Sequence, residues 1–150
     1  MARYLVFAME GTSARARLLD DLAPETCKAV WKLLPAAGPC GHVMLGGTSC
    51  ALNLDPGLVV PEENAAGLIQ KGDVMFIHYN ARERHGSPDA ISEVIWCYGR
   101  YNMAIAPGKQ QHVLGNVFAE FLPGAEAFYA MSERLFIDGP IPLKVTGEIG

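Results

Sequence analysis

The sequence lacks the long apolar runs and strong charge imbalance that mark several classes of protein. No uncharged apolar run approaches the roughly 20 residues that a membrane-spanning helix needs. The first residues place Arg3, a short apolar run and then Glu10 in order, which favours a first β-strand over a signal peptide. Only 19% of the residues are charged, the net charge is −4, and no basic stripe occurs. Neither nucleic acid nor a membrane is therefore an expected partner.

Cysteine is scarce and widely spaced. The four thiols form no CxxC pair, whereas zinc sites and disulfide frameworks usually show paired ligands at short spacing. We therefore expect reduced, mostly buried thiols in a cytoplasmic protein, at Cys27, Cys40, Cys50 and Cys97.

The short motifs of several enzyme classes are also missing. The sequence contains no GxGxxG, P-loop or GxSxG segment, so the usual signals of nucleotide binding and serine hydrolases are absent. Neither HxH nor HExxH spacing occurs, and His85 lies in a charged loop that is most simply a solvated connection. We therefore predict no cofactor and no metal site, although four histidines could in principle meet: His42, His78, His85 and His112.

Strand and turn patterns occupy most of the 150 residues, half of which are hydrophobic. Residues 4–9 and 13–19 flank a turn and predict a β-hairpin. Pro24 and Pro35 bracket an amphipathic helix over 23–35, and a second helix is predicted over 124–137. Further strands are predicted at 41–45, 49–54, 73–79, 91–98, 101–105, 112–122 and 141–149. This order, β-β-α-β(n)-α-β, predicts one mainly β domain over 1–150, closed into a barrel that the helices cap.

Glu93 is the leading candidate for chemistry, because it shares one strand face with Ile91, Ile95 and Cys97. A carboxylate on an apolar face has a raised pKa if it is buried, which suits acid/base catalysis. The alternative is an ion pair at the barrel rim with Arg100 or Arg82.

Four other polar and aromatic residues each have a functional and a structural interpretation. His42 is either a general base or a histidine hydrogen-bonded beneath the first helix. Asn116 either holds a ligand or satisfies backbone groups at a bulge near Gly115. Trp31 and Trp96 belong either to the core or to a pocket wall.

The element order and two segments resemble the cyclophilin family. LLDDLAPETCKAVWKLLP is similar to the entry into the family's first helix, and HVLGNVFAEFLPGAEAFYAMSERLFIDGPIPLKVTGEI resembles its ending. The resemblance implies a closed cyclophilin-like β-barrel. Prolyl isomerases of this fold are expected to carry Phe-His-Arg and Gln-Phe-Phe segments, but the corresponding region reads CGHVMLGGTSCALNL and no Gln-Phe-Phe occurs. No isomerase activity is therefore expected.

The pieces AVWKLLP, GHVMLGG, PEEN, KGDVMF, SEVIWCYGR and GNVFAEF resemble small bacterial cyclophilin-like proteins of unknown function, associated with catabolism. We therefore predict an enzyme or binder that hydrolyses or isomerises a small carboxylate or amide compound. Glu93 and His42 are the predicted catalytic residues. The predicted substrate contacts are Trp31, Tyr98, Arg100, Asn116 and Phe118.

The alternative is a non-catalytic ligand-binding or oligomeric interaction module. A mean hydropathy of +0.15 is high for so small a barrel, which favours a homo-oligomer that buries part of the surface.

Overall fold

The computed structural model describes residues 1–84, 87–106 and 111–150, with positions 106, 111 and 112 described by their backbone alone. Eight antiparallel strands form a closed barrel in the order β2-β1-β12-β3-β4-β8-β7-β11, and β11 pairs with β2 to close it. They are β1 (Arg3–Met9), β2 (Thr12–Leu18), β3 (Ala36–His42), β4 (Gly47–Leu54), β7 (Asp73–Tyr79), β8 (Ile91–Met103), β11 (Gly115–Phe121) and β12 (Ile141–Ile149). The predicted mainly β barrel is confirmed.

Two helices and four short strands complete the described structure. The helices are α1 (Pro24–Leu33) and α2 (Glu126–Asp138), close to their predicted positions. The short strands are β5 (Ala65–Ala66), β6 (Leu68–Ile69), β9 (Ile105–Ala106) and β10 (Gln111–His112). Neither described helix has the length and apolar character needed to cross a membrane.

The β1–β2 hairpin forms where the turn residues predict it. Glu10 and Gly11 both have positive φ, at 48° and 73°, which is the backbone of a type I′ hairpin turn. Thr12 Oγ1 donates a hydrogen bond to Met9 O at 2.7 Å and so reinforces the turn.

The start of α1 is held by a residue from a distant loop. Pro24 occupies the first turn, where a missing N–H costs nothing. The carboxylate of Glu63 accepts hydrogen bonds from the backbone N–H groups of Glu25 at 3.3 Å and Thr26 at 2.8 Å. Glu63 therefore caps the helix and ties it to the PEEN segment, residues 61–64.

Apolar side chains fill the inside of the barrel and form the main core. Phe7 meets Trp96 and Phe128 at ring-centroid distances of 5.7 and 6.0 Å. The indole N–H of Trp96 donates to Ser132 Oγ of α2 at 2.9 Å, so the one polar atom of this side chain is paired. Trp96 is 0% exposed, which confirms its core reading.

A second apolar cluster, the outer core, lies on the opposite face of the same strands. Its strand residues alternate with those of the main core, so they point away from the barrel axis. Residues of β6 and of the segment after β8 pack over them. The outer core consists of Ile69, Met75, Ile77, Tyr79, Ile95, Cys97, Ala104 and Val117.

The largest differences from the predicted strand boundaries are in β3, β8 and β11. β3 begins at Ala36, because AAGPC pairs with β12 although its composition is typical of a turn. β8 runs without a break through the predicted gap at residues 99–100. β11 begins at Gly115 rather than at 112.

Candidate functional site

Glu93 lies buried in the outer face of the barrel wall. Its neighbours across the sheet are Asn53 on β4 and Ile77 on β7. The residue is only 6% exposed, and its carboxylate accepts no hydrogen bond from any described residue within 3.5 Å. The closest cation is Arg84, whose Nη1 is 3.8 Å from Oε2, which is too far for a hydrogen bond.

The environment of Glu93 favours its neutral form. Burial raises the pKa of this carboxyl group, and the charge of Arg84 opposes that shift only in part. A protonated carboxyl group can donate one hydrogen bond and accept others, whereas the ionised form only accepts.

A small cavity of about 30 Å³ opens beside the Glu93 carboxylate. Its walls come from the sheet, from the β3–β4 connection (residues 43–46) and from the segment 103–105. The polar side chains that face it are Ser49, Tyr79, Arg84 and Glu93. The volume holds one or two water molecules, so a larger ligand requires the wall to move.

Tyr79 and Ser49 complete the polar lining. Tyr79 Oη donates to Ile105 O at 3.2 Å, which links the sheet to the covering segment. Burial, together with the charge of Glu93, raises the pKa of Tyr79 to about 12, so its hydroxyl stays protonated. Ser49 is 2% exposed, and its hydroxyl makes no side-chain hydrogen bond to a described residue.

The ion-pair partner of Glu93 was predicted incorrectly. Arg100 is exposed and stacks over Tyr101, with 5.9 Å from its Cζ to the ring centroid. Arg82 sits in a turn at φ 64°. The partner is Arg84, which belongs to the charged loop that the sequence analysis treated as a solvated connection.

His42 and Tyr98 lie on the opposite face of the sheet from Glu93. His42 Nε2 is 2.5 Å from Tyr98 Oη, and Nδ1 is 2.7 Å from Val43 O. Because a carbonyl only accepts, Nδ1 carries the proton, and in neutral His42 the Nε2 atom accepts from the tyrosine hydroxyl. Burial raises the pKa of Tyr98 to about 12. The two predicted catalytic residues are therefore not brought together.

Asn116 occupies a fully bonded position beneath α1. Its Oδ1 accepts from Glu63 N at 3.2 Å, and its Nδ2 donates to Thr26 Oγ1 at 3.1 Å and Pro61 O at 2.8 Å. The β11 bulge falls between Val117 and Ala119. These contacts match the reading of a buried amide that satisfies backbone groups.

The predicted aromatic contacts lie away from Glu93. Phe118 is 0% exposed and packs in the main core. Trp31 is half-buried beside the main core, with Arg3 Cζ 5.0 Å from its ring centroid, and lines a shallow surface groove next to Gly147.

A larger groove of about 410 Å³ adjoins the Glu93 cavity. Arg100 and Tyr101 line it, together with Leu68 and Ile69 of β6. Of the residues predicted to contact substrate, Arg100 lines this groove, and Trp31, Tyr98, Asn116 and Phe118 do not. Leu45, Gly46 and Met103 line both spaces.

The three other polar side chains of the cavity, Ser49, Tyr79 and Arg84, were not among the predicted site residues. Ser49 and Tyr79 lie on strand faces that alternation could have assigned to the Glu93 side, had the pairing register been known. Arg84 follows a turn, and no sequence pattern predicts that its side chain approaches Glu93 on β8.

The described part of the chain contains neither a disulfide nor a group of side chains that could hold a metal ion. All four cysteines are free and buried, and burial raises the pKa of Cys40 to about 11 and of Cys97 to about 12. No three His, Cys, Asp or Glu side chains among the described residues are grouped to hold a metal ion. His78 Nδ1 is 2.7 Å from Ser92 Oγ, whereas His85 and the His112 side chain lie outside the described residues.

A match to a known protein family identifies the family of this chain. A family described as "Protein of unknown function (DUF3830)" matches residues 5–146. The chain belongs to the DUF3830 family. No curated protein matches this DUF3830 chain.

Solved structures similar to the DUF3830 chain share its fold at low identity. McbB, solved in complex with tryptophan, is 17% identical with a TM-score of 0.66; the match covers 96% of this chain but only 44% of McbB. The hypothetical protein AF2241 from Archaeoglobus fulgidus is 18% identical with a TM-score of 0.55, over 97% of this chain and 93% of AF2241. The Mimivirus cyclophilin is 10% identical with a TM-score of 0.53, over 99% and 90%. The fold is therefore cyclophilin-like.

Proposed function

We propose that this DUF3830 protein binds a small carboxylate or amide compound at the Glu93 cavity, with Glu93 transferring a proton in a hydrolysis or an isomerisation. One observation carries the proposal: a buried carboxylate that makes no hydrogen bond to a described residue faces a small, mainly apolar cavity whose other polar side chains are Ser49, Tyr79 and Arg84. His42 is not part of this proposed site, because it lies across the sheet.

The energetic cost of Glu93 supports a functional role. Removing a carboxyl group from bulk water costs free energy that hydrogen bonds usually offset, whereas among the described residues Glu93 has the charge of Arg84 at 3.8 Å and the polar groups of the cavity. An apolar residue would fill this position without that cost. A carboxyl group whose pKa is raised toward neutrality suits general acid/base catalysis near physiological pH.

The thiols and the family resemblance support a bacterial, cytoplasmic setting for the proposed activity. Four buried free cysteines suit a reducing compartment, which supports a cytoplasmic location. The resemblance to small bacterial proteins supports a role in bacterial catabolism. McbB is described in complex with tryptophan, so an amino acid belongs in any ligand panel for this barrel.

The test is ligand-induced thermal stabilisation with a panel of amino acids, their amides and dicarboxylates. A ligand that binds only the native state raises its Tm in proportion to the logarithm of its concentration above Kd. Glu93→Gln is expected to weaken binding of an active compound at least tenfold. The matched control is Glu62→Gln, which makes the same change at an exposed loop residue.

Turnover of any compound that binds is then followed by NMR. Glu93→Gln is expected to abolish proton transfer, whereas Glu62→Gln retains it. A compound that is bound and converted equally well by Glu93→Gln would overturn the assignment of this site.

A further inference from the structure

The Glu93 cavity and the adjoining groove are separated by a thin wall. The wall consists of Leu45, Gly46 and Met103, the three residues that line both spaces. Leu45 and Met103 are 54% and 37% exposed, so their side chains are free to turn toward solvent. Gly46 contributes no side chain to the barrier.

Backbone hydrogen bonds hold the wall while its side chains remain adjustable. Met103 N donates to Gly46 O at 3.0 Å, and Ala104 N donates to Gly67 O at 2.8 Å. A methionine side chain has three rotatable bonds and adapts readily to a new neighbour. A rotamer change at Met103 and Leu45 would therefore join the two spaces without breaking the backbone contacts.

The groove itself has the character of a binding site for an apolar group. Leu68 and Tyr101 are 76% and 78% exposed, an unusual position for large apolar side chains that share one concavity. The volume of about 410 Å³ falls in the range of small-molecule sites. Polar side chains from Gln70, Arg100 and Asn102 also line the groove.

We infer that the groove holds the apolar body of a ligand whose amide or carboxyl end reaches Glu93 through the Leu45–Met103 wall. The ligand class is therefore amphipathic: a primary amide or carboxylic acid carrying an aliphatic or aromatic chain of several carbons. This inference rests on the proposed function and adds to it the size and polarity of the substrate. Continuity with the Glu93 cavity favours this occupant over a second copy of the chain.

Isothermal titration with a series of unbranched primary amides, from acetamide to octanamide, tests the inference. Affinity is expected to rise about fourfold per methylene until the groove is filled, the fold-change that corresponds to burying one methylene. Leu68→Ser is expected to weaken octanamide at least fivefold while leaving acetamide unchanged. Leu22→Ser is the control, since Leu22 is 57% exposed and does not line the groove.

Gly46→Ala provides a second variant for the wall. A Cβ at Gly46 would lie 3.2 Å from Met103 O and from Val43 Cγ2, so it crowds the passage. We expect it to weaken the long amides and acetamide alike.

Each outcome of the titrations has one meaning. Glu93-dependent binding of short amides with no gain for longer chains would overturn the inference and leave the proposed function standing. Gain with chain length that persists in Glu93→Gln would show two separate sites and would also overturn it, as would no binding at all. A concentration-dependent dimer lost in Leu68→Ser, seen by analytical ultracentrifugation, would assign the groove to a second copy instead.

Discussion

The two faces of strand β8 differ in how their buried polar atoms are paired. On the inner face, Trp96 is fully buried, and its N–H bonds Ser132 within an otherwise apolar core. On the outer face, Glu93 is buried next to Ile77, and the one cation near its carboxylate among the described residues is Arg84, at 3.8 Å. The inner face pairs its buried indole N–H, whereas the outer face holds a carboxyl group that makes no hydrogen bond to a described residue and whose pKa burial raises.

This difference suggests that the inner face of the barrel provides stability and the outer face provides the binding site. A barrel filled with side chains offers no room for a ligand inside, so a binding site has to form on its outer wall under the covering segments. Strain or unpaired charge that persists in a folded protein tends to accumulate at functional sites. The four predictions below test this division between the faces.

Trp96→Ala should produce the largest effect, because it empties the centre of the main core. Replacing a buried tryptophan by alanine costs about 3–5 kcal/mol in the free energy of unfolding. Urea unfolding measures the loss, with Tyr101→Ala as the control at a residue that is 78% exposed. A loss below about 1 kcal/mol for Trp96→Ala would contradict the inner face as the source of stability.

Ser132→Ala should cost about 1–3 kcal/mol, because it leaves the Trp96 N–H buried without its acceptor. The side chain loses only one oxygen, so packing changes little. Thermal and urea unfolding report the effect, and the exposed Ser13→Ala serves as the control. Equal stability of the two variants would show that the indole hydrogen bond is not required.

Glu93→Gln should change stability in the opposite direction, raising it by about 1 kcal/mol at neutral pH, or about 2–4 °C in Tm. Because burial raises the pKa of Glu93, the folded state binds its proton more tightly than the unfolded state does. Wild-type stability therefore falls as pH rises from the unfolded to the folded pKa, and the deficit persists above it.

The advantage of Glu93→Gln should accordingly shrink as pH is lowered and vanish below the unfolded pKa of the carboxyl group. Unfolding curves between pH 4 and 8 measure it, beside Glu62→Gln. A variant less stable than wild type at pH 8 would mean that Arg84 compensates the charge fully.

Ser49→Ala should have the smallest effect, below about 0.5 kcal/mol. Ser49 and Ser132 are both buried, at 2% and 0% exposed, but the Ser49 hydroxyl faces the cavity and makes no side-chain hydrogen bond to a described residue. Differential scanning calorimetry compares the two serine variants directly. A loss for Ser49→Ala as large as that for Ser132→Ala would remove the distinction between the two faces.

Much of the fold could be predicted from local signals. The turn at Glu10-Gly11 requires positive φ, and Pro24 suits a helix start, so the hairpin and α1 were placed correctly. β3 was misplaced because its AAGPC start has the composition of a turn and becomes a strand only by pairing with β12. Non-local pairing of this kind has no signature within the segment itself.

The candidate site was predicted less completely. Alternation along β8 correctly grouped Glu93 with Ile95 and Cys97. It could not say which face is the barrel interior, because both faces of this strand are apolar. For the same reason His42 was placed near Glu93, although the sheet lies between them.

The sequence by itself determined the element order, the face that Glu93 shares and the absence of the isomerase segments, since these depend on residue type and short-range periodicity. Only the tertiary structure decided that the Glu93 face is the outer one, that Arg84 is its partner and that a groove adjoins its cavity. Those features arise where segments far apart in the chain, at 43–46, 84 and 103–105, meet around one strand. These long-range contacts form because the barrel closes, and no local pattern of residues predicts them.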